Sequence, residues 1–174
     1  DQKPSSIPQN TASCPVIALA GNPNVGKSTL YNNLTAGKKQ HTGNWIGKTT
    51  ANAWGICHNA DKDYILVDIP GTYSLSSRSA EEEVARNFIC FGSHQAVVVV
   101  CDATCLERNL NLVLQILEAT DRVLVCVNLL DEAEKKGIKI DLDSLSDLLY
   151  VPVAGTSARN KNTLTNFLKR LNDL

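Results

Sequence analysis

The stretch Gly21-Asn22-Pro23-Asn24-Val25-Gly26-Lys27-Ser28 fits the pattern G-x-x-x-x-G-K-[S/T] at every fixed position. A short apolar run at residues 16–20 precedes it and predicts a buried strand, and a helix-compatible run at residues 29–34 follows it. This order of strand, loop and helix is the context in which such a loop cradles phosphate groups. The stretch therefore predicts a phosphate-binding loop.

The residue types of this loop have a physical reason. Glycines let successive backbone N–H groups converge on an anion, and the N-terminus of the following helix adds partial positive charge. We expect Lys27 to contact the β- and γ-phosphates and the Ser28 hydroxyl to ligate Mg²⁺. A glycine-containing turn that matches by chance is the alternative for the loop taken alone, and the motifs that follow disfavour it.

The composition is that of a globular domain. The chain has 174 residues, 43% of them hydrophobic, and a formal net charge of −1, so bulk electrostatics do not argue for a nucleic-acid partner. The longest apolar run, residues 96–101, is far shorter than the ~18 residues of a membrane-spanning helix, and we expect the chain to be soluble. It contains no methionine, which favours a fragment of a longer protein. The six cysteines form no C-x-x-C pair, so we expect reduced thiols rather than a zinc site.

Strand and helix patterns alternate along the chain. We expect a flexible polar tail over residues 1–13 and one domain over residues 14–174. Strands are predicted at residues 14–20, 50–58, 64–68, 96–101, 123–127 and 150–154. The second and third, joined by a polar turn, predict an antiparallel hairpin. The alternation predicts an α/β fold with a doubly wound, mostly parallel six-stranded sheet, flanking helices, and ligand loops at the carboxyl ends of the strands.

Short polar signals mark the helix ends. Residues 79–82 and 104–107 both fit the capping-box pattern, and Gly137 follows the helical residues 130–136 as a C-terminal signal. The segments at residues 37–49 and 70–80 include long aperiodic stretches, which predicts functional loops.

Asp68-Ile69-Pro70-Gly71 directly follows the third predicted strand and fits D-x-x-G. In phosphate-loop GTPases, the aspartate of this motif holds Mg²⁺, usually through water, and the glycine N–H contacts the γ-phosphate. A strand-ending turn explains the four residues alone equally well. The phosphate loop upstream favours the nucleotide interpretation.

Asn128-Leu129-Leu130-Asp131 ends the fifth predicted strand and fits N-x-x-D. A carboxylate there can accept hydrogen bonds from the N1–H and the exocyclic amine of guanine. Adenine offers neither donor at that place, and each lost charged bond would cost roughly 1.5–3 kcal/mol. We expect Asn128 to tie this loop to the phosphate loop. Leu129 stands where many GTPases have lysine, which predicts moderate guanine affinity and fast exchange. Residues 155–158 fit the short element whose backbone contacts guanine O6.

Loop 37–49 must supply the threonine that completes the Mg²⁺ coordination, and spacing leaves Thr42, Thr49 and Thr50 as candidates. Thr72 follows the D-x-x-G motif and is too short to orient water as a glutamine does there. No arginine finger is evident, and such a group is worth ~10³–10⁵ in rate. We therefore expect slow hydrolysis unless another cation assists, and Asn24 offers a carbonyl oxygen to a monovalent ion.

Four segments carry a family resemblance: residues 21–24 (GNPN), 40–49 (QHTGNWIGKT), 68–75 (DIPGTYSL) and 128–133 (NLLDEA). Over about residues 14–173 the chain resembles the G domain of the bacterial ferrous iron transport protein B family. The G-N-W-x-G-x-T and D-x-P-G-T-Y-S-L segments are the specific ones, whereas many GTPases share the others. Ile46 and Lys48 depart from residues that are common in the family.

The resemblance implies a Ras-like, phosphate-loop GTPase of the potassium-activated type that binds GTP or GDP with Mg²⁺ and K⁺. It selects Thr49 as the Mg²⁺-sensing threonine of the first switch loop and Asn24 as the potassium-binding asparagine. Backbone carbonyls near Gly43 and Trp45 would complete the potassium shell. Backbone groups of the switch loops would hold the attacking water, which is consistent with Thr72.

The motifs and the resemblance together give three sets of site residues. The catalytic set is Lys27, Thr49 and Gly71. The metal set is Ser28, Thr49 and Asp68 for Mg²⁺, with Asn24, Gly43 and Trp45 for K⁺. The nucleotide-contacting set is Gly21, Asn22, Pro23, Asn24, Val25, Gly26, Lys27, Ser28, Thr29, Asp68, Pro70, Gly71, Asn128, Leu129, Asp131, Ser157 and Ala158.

The resemblance further implies that nucleotide state is coupled to Fe²⁺ uptake by a membrane permease domain of the same full-length protein. That places the domain at the cytoplasmic face of the bacterial inner membrane, and an oligomer of the full-length protein stays open. Two other functions also stay open: a regulatory switch with negligible hydrolysis, and a ribosome- or tRNA-associated GTPase. The last would favour basic patches or an RNA-binding domain, and neither is visible in the sequence. His41, His58 and His94 lie on separate predicted elements, so no iron site is assigned to this domain.

Overall fold

The computed structural model describes residues 13–37, 41–44, 51–76, 78–157 and 160–174. Its strands are β1 (Val16–Gly21), β2 (His41–Asn44), β3 (Ala51–Cys57), β4 (Tyr64–Asp68), β5 (Ala96–Asp102), β6 (Val123–Asn128) and β7 (Val153–Gly155). Its helices are α1 (Lys27–Leu34), α2 (Ala80–Phe91), α3 (Leu106–Ala119), α4 (Leu130–Lys135), α5 (Leu142–Leu149) and α6 (Lys161–Asn172). A 3₁₀ turn, Ala103–Cys105, leads into α3.

The strands form one sheet in the order β2-β3-β4-β1-β5-β6-β7. The strands from β4 to β7 in this order are parallel, whereas β3 is antiparallel to both β4 and β2. The predicted α/β class, the six predicted strands and the antiparallel hairpin, here β3 and β4, are confirmed. The short edge strand β2 is additional and lies in a segment for which the sequence predicted a loop.

The central strands are apolar throughout because helices cover both faces of the sheet. Along β1, Val16, Ala18 and Ala20 contribute to the core that includes α2 and α3, whereas Ile17 and Leu19 contribute to the core that includes α1 and α6. This alternation follows from the two-residue period of a strand. Since the parallel strands all run the same way, the loops after β1, β4, β5, β6 and β7 emerge at one edge of the sheet.

The start of α2 confirms half of its predicted capping box. The Glu82 N–H donates to Ser79 Oγ at 3.1 Å, but the Glu82 carboxylate accepts from the Arg78 N–H at 2.8 Å. The box predicted at Thr104 is wrong. Asp102 Oδ1 accepts from both the Thr104 N–H at 2.8 Å and its hydroxyl at 2.7 Å, so α3 begins later, with Cys105 as its N-cap.

All six cysteines are free thiols. Cys57, Cys101 and Cys126 are buried in the core, where a thiol behaves as a small apolar group. Burial raises the pKa of the Cys126 thiol to about 12. None of the helices in the described part of the chain combines the length and apolar character that a bilayer crossing requires.

Candidate functional site

The loop between β1 and α1 owes its shape to two left-handed residues. Asn24 has φ of +64° and Gly26 has φ of +80°, a region that glycine adopts freely and asparagine tolerates. A Cβ at Gly26 would also lie 2.5 Å from Asn128 Nδ2. Backbone conformation and a buried neighbour therefore both require glycine where α1 begins.

Two adjoining pockets form a cleft along this loop. The larger, about 410 Å³, is lined by Asn22, Pro23, Asn24, Gly26, Lys27, Ser28, Thr29 and Gly71. The smaller, about 280 Å³, is lined by Gly26, Thr29, Asn33, Asn128, Leu129, Asp131 and Glu132. Because the two pockets share Gly26 and Thr29, they form one groove from the phosphate loop to the start of α4. Gly21 is the last residue of β1, and Val25, between the lining residues Asn24 and Gly26, is buried.

Lys27 and Asp68 form an ion pair beside the larger pocket. Lys27 is the first residue of α1 and Asp68 is the last residue of β4, so the pair connects the start of this helix to the end of this strand. Their side chains are only 10% and 19% exposed. The two residues predicted to hold phosphate and Mg²⁺ thus contact each other directly.

The segment after β4 packs on the phosphate loop. The Ile69 N–H donates to Leu19 O at 3.0 Å and the Thr72 N–H to Gly21 O at 3.1 Å. A Cβ at Gly71 would lie 3.2 Å from Pro23 Cα, so only glycine allows this approach without displacing the loop. Pro70 is half-buried and Thr72 buried. The backbone of Gly71 consequently lines the larger pocket.

Asn128 connects the phosphate loop to the loop after β7 through two hydrogen bonds. It is fully buried, and its Nδ2 donates to Val25 O at 3.1 Å while its Oδ1 accepts from Thr156 Oγ1 at 3.0 Å. The same Thr156 Oγ1 also lies 3.2 Å from Cys126 Sγ. Thr156 is absent from the predicted residue sets. The sequence did offer a signal for Thr156 as a site residue, since it directly follows a predicted strand and belongs to the segment 155–158.

Asp131 lies in the first turn of α4, at the far end of the cleft. Partial burial alone would raise the pKa of its carboxyl, but hydrogen bonds from Ser157 and from backbone N–H groups of this turn outweigh burial and hold the pKa below its usual range. The group is therefore an ionised acceptor at neutral pH. Leu129, with φ of +63°, turns the chain sharply out of β6, and the buried Ser157 donates its N–H to Thr163 Oγ1 at 3.1 Å.

Four further predicted site residues are not among those that line the cleft. Trp45, Thr49 and Ala158 are outside the described residues. Gly43 lies in edge strand β2, opposite Asn52 of β3. Within the described ranges, no group of three or more His, Cys, Asp or Glu side chains lies close enough to hold a metal ion. The Ser28 hydroxyl and the Asp68 carboxylate do offer the oxygen donors that Mg²⁺ prefers.

Comparisons with known proteins agree on one family. The family model for ferrous iron transport protein B matches residues 15–171. The Fe(2+) transporter FeoB of Salmonella typhimurium is 43% identical over 163 residues, which cover 90% of this chain and 21% of that protein. FeoB of Escherichia coli is 46% identical over 141 residues, 79% of this chain and 18% of that protein. The chain thus spans about a fifth of the length of these relatives.

Solved structures give the same result. The G domain of the T. maritima FeoB iron transporter superposes with a TM-score of 0.82 at 36% identity, covering 92% of this chain and 98% of that one. The FeoB G-domain from Methanococcus jannaschii gives 0.79 at 39% identity, covering 91% and 96%. The resemblance drawn from the sequence is confirmed. The chain belongs to the ferrous iron transport protein B family, as a G domain with the phosphate-loop GTPase fold.

Proposed function

We propose that this chain binds guanine nucleotides and hydrolyses GTP, as the nucleotide-binding domain of a ferrous iron transporter. The observation that carries the proposal is the single cleft that runs from Lys27 and Ser28 to Asp131. A polyphosphate would bind at the phosphate-loop end, where backbone amides and Lys27 are located. A base would bind at the other end, where the ionised Asp131 carboxylate is located. Related structures support this assignment, since the cytosolic domain of T. maritima FeoB has been solved in GDP and GMPPNP forms.

The phosphate end is organised around the Lys27–Asp68 pair. Lys27 holds the β- and γ-phosphates. The residues that would hold Mg²⁺ are Ser28, Asp68 and Thr49. Bound Mg²⁺ would neutralise charge on the phosphate oxygens. Lys27 and Asp68 are in contact. Lys27 would therefore give up part of this contact to hold phosphate, and Asp68 would do so to hold Mg²⁺. The Gly71 N–H then meets the γ-phosphate.

The base end discriminates by hydrogen-bond donors. The Asp131 carboxylate accepts from the two donors of guanine, while Asn128 and Thr156 hold the surrounding loop against the phosphate loop. Backbone near Ser157 and Ala158 contacts the O6 of guanine. Leu129 packs on the base without a charge, so the proposal includes moderate affinity and fast exchange.

Hydrolysis is slow and potassium-stimulated in this proposal. Thr72 is buried and its N–H is bonded to Gly21 O, so its side chain is poorly suited to orient water. The exposed Asn24, which lines the larger pocket, would supply a carbonyl oxygen to K⁺, and backbone carbonyls near Gly43 and Trp45 would supply further oxygens. When bound there, K⁺ would offset phosphate charge that an arginine finger offsets in other GTPases.

GTP turnover in KCl and in NaCl at equal ionic strength tests the proposal. Wild-type protein should turn over GTP faster in KCl. Asn24→Gly keeps the left-handed backbone that Asn24 adopts but removes the oxygen, so it should lose the stimulation and keep its GDP affinity. Asn24→Asp, which retains an oxygen at this place, is the matched control. Equal rates in both salts would exclude the potassium role.

A second candidate function is a regulatory switch with negligible hydrolysis. The presence of Thr72 in place of a water-orienting glutamine favours it. The same assay separates the two functions, because a switch would bind GDP and GTP with no turnover in either salt.

Transport itself belongs to a longer protein in this proposal, since the chain spans about a fifth of the length of the matched relatives. The G domain lies at the cytoplasmic face of the inner membrane in this proposal. Its nucleotide state is coupled to Fe²⁺ uptake by a membrane permease domain of the full-length protein. Fe²⁺ uptake by the full-length protein should fall in an Asp131→Ala variant. Uptake equal to that of wild type would contradict the coupling.

A further inference from the structure

Helix α3 contacts the segment that follows Gly71 through two amide side chains. Asn111 and Gln115 are four residues apart and therefore share one face of the helix. Gln115 Oε1 accepts from the Leu75 N–H at 2.6 Å, and Asn111 Nδ2 donates to Tyr73 O at 3.4 Å. The amide orientations are set by the partners, because a backbone N–H needs an acceptor and a carbonyl needs a donor.

The same segment is fastened on its other side to β1. The Thr72 N–H donates to Gly21 O, and Gly71 lies against Pro23 of the phosphate loop. Residues 71–75 are thus held between the first strand and α3, by backbone contacts at one end and by Gln115 at the other.

Helix α3 is a fixed support for this segment. Its Leu112, Val113 and Ile116 are at most 1% exposed and pack in the core against the sheet. Gln115 is half-buried at the border of this face and also lines a groove of about 430 Å³ with Leu75, Ser76, Arg86, Cys90, Glu118 and Ala119. The Gln115 oxygen therefore has a defined position relative to the sheet, and through the sheet relative to the phosphate loop.

We propose that Gln115 is a positioning residue for GTP hydrolysis, which holds the Leu75 N–H so that the Gly71 N–H meets the γ-phosphate. This inference rests on the proposed function. Gln115 is not among the residues that line the two pockets of the cleft, so it would act through the backbone of residues 71–75. Since GDP lacks the γ-phosphate, its affinity should not depend on Gln115.

A pair of substitutions at one position tests the role. Gln115→Met keeps the length of the side chain but replaces the amide oxygen by a thioether, which is only a weak acceptor. Gln115→Glu keeps an oxygen for the Leu75 N–H. We expect Gln115→Met to lower kcat about 3- to 10-fold, as the loss of one hydrogen bond predicts, with KM and GDP affinity unchanged. Gln115→Glu should restore kcat to near the wild-type value. Amide hydrogen exchange at Leu75 should be faster in Gln115→Met only.

The outcomes separate the two proposals. If wild-type protein does not turn over GTP, the proposed function fails, and the role of Gln115 fails with it. If wild-type protein is active and Gln115→Met has the same kcat, only the Gln115 inference is overturned. A Gln115→Met variant that loses GDP affinity together with kcat, or a Gln115→Glu variant as slow as Gln115→Met, would show a general structural effect and overturn it too. Thermal unfolding of both variants verifies that they are folded.

Discussion

Two carboxylates in the cleft differ in what surrounds them. Asp68 is paired with Lys27, whereas Asp131 receives hydrogen bonds from neutral groups that keep its carboxyl ionised. The first arrangement suits a group that exchanges partners when nucleotide and metal bind. The second leaves an anionic acceptor available to a base with two donors.

Asp131→Asn should exchange guanine for xanthine. Guanine presents two donors to position 131, while xanthine presents one donor and one carbonyl, which an amide side chain matches by accepting and donating. GDP affinity should fall about ten- to a hundredfold, because a charged hydrogen bond worth roughly 1.5–3 kcal/mol is lost, and xanthosine diphosphate affinity should rise. Calorimetric titration with both nucleotides measures this. Equal loss for both would show that Asp131 supports the loop rather than the base.

Tyr31→Phe should stabilise the domain. Tyr31 is fully buried, and none of the described residues offers its hydroxyl a hydrogen-bond partner. Burial and the charge of Asp68 raise its pKa to about 12, so the group stays neutral. Because an unsatisfied buried polar group costs about 1–3 kcal/mol, removing the oxygen should raise the free energy of unfolding by about 1 kcal/mol. Urea denaturation measures the change, and a loss of stability would reveal a partner for the hydroxyl.

Among the elements, α5 ends in an unfavourable conformation. Its C-cap, Tyr150, has φ of +56° and is 93% exposed, so burial of the side chain does not compensate for the left-handed conformation. Glycine carries no Cβ penalty there, and the left-handed form costs other residues about 1–2 kcal/mol. Tyr150→Gly should therefore raise the free energy of unfolding by about 1 kcal/mol.

Thermal unfolding compares that variant with Tyr150→Ala as the matched control. Alanine removes the exposed ring but keeps the Cβ, so it should not stabilise. Equal stabilisation by both substitutions would show that the ring, and not the backbone, was responsible.

Elements with strong local signals were predictable, and those set by distant contacts were not. The phosphate loop follows from its own glycines, and β5 follows from its run of buried valines. Strand β2 has four residues including Gly43 and forms by pairing with β3, so no local pattern indicates it. The capping box predicted at Thr104 was wrong because the Thr104 hydroxyl donates a hydrogen bond to Asp102 Oδ1. The last strand begins at Val153 rather than residue 150 because Tyr150 still belongs to the end of α5.

The same distinction holds within the candidate site. Motif spacing was enough to nominate Lys27, Asp68 and Asp131, which the fold brings to one cleft. It did not indicate Thr156 as the partner of Asn128 or Gln115 as the partner of Leu75, because each pair is far apart in sequence. Such contacts depend on which helix covers which face of the sheet.

At the scale of the whole molecule, the sheet order explains why the motifs meet. β1 lies between β4 and β5 in the sheet. The phosphate loop therefore emerges at the topological switch point, beside which the strand order continues in opposite directions. Open α/β sheets bind their ligands at this position. The 410 Å³ pocket is built from residues after β1 and β4, and the 280 Å³ pocket adds those after β6. A nucleotide that fills both pockets would contact the loops on both sides of β1 and so connect the two halves of the sheet.

GDP should therefore stabilise the entire domain against unfolding. Since nucleotide binds only the folded form, GDP with Mg²⁺ at about 100 times its dissociation constant should raise the free energy of unfolding by about 2.7 kcal/mol. For a domain of this size that corresponds to a rise in Tm of roughly 5–11 °C. ADP at the same concentration should raise Tm much less, because adenine leaves the Asp131 carboxylate without its two donors. Differential scanning calorimetry with GDP, ADP and no nucleotide measures the three values. Equal shifts with GDP and ADP would place the binding energy in the phosphate loop alone and contradict the role of α4 in selecting the base.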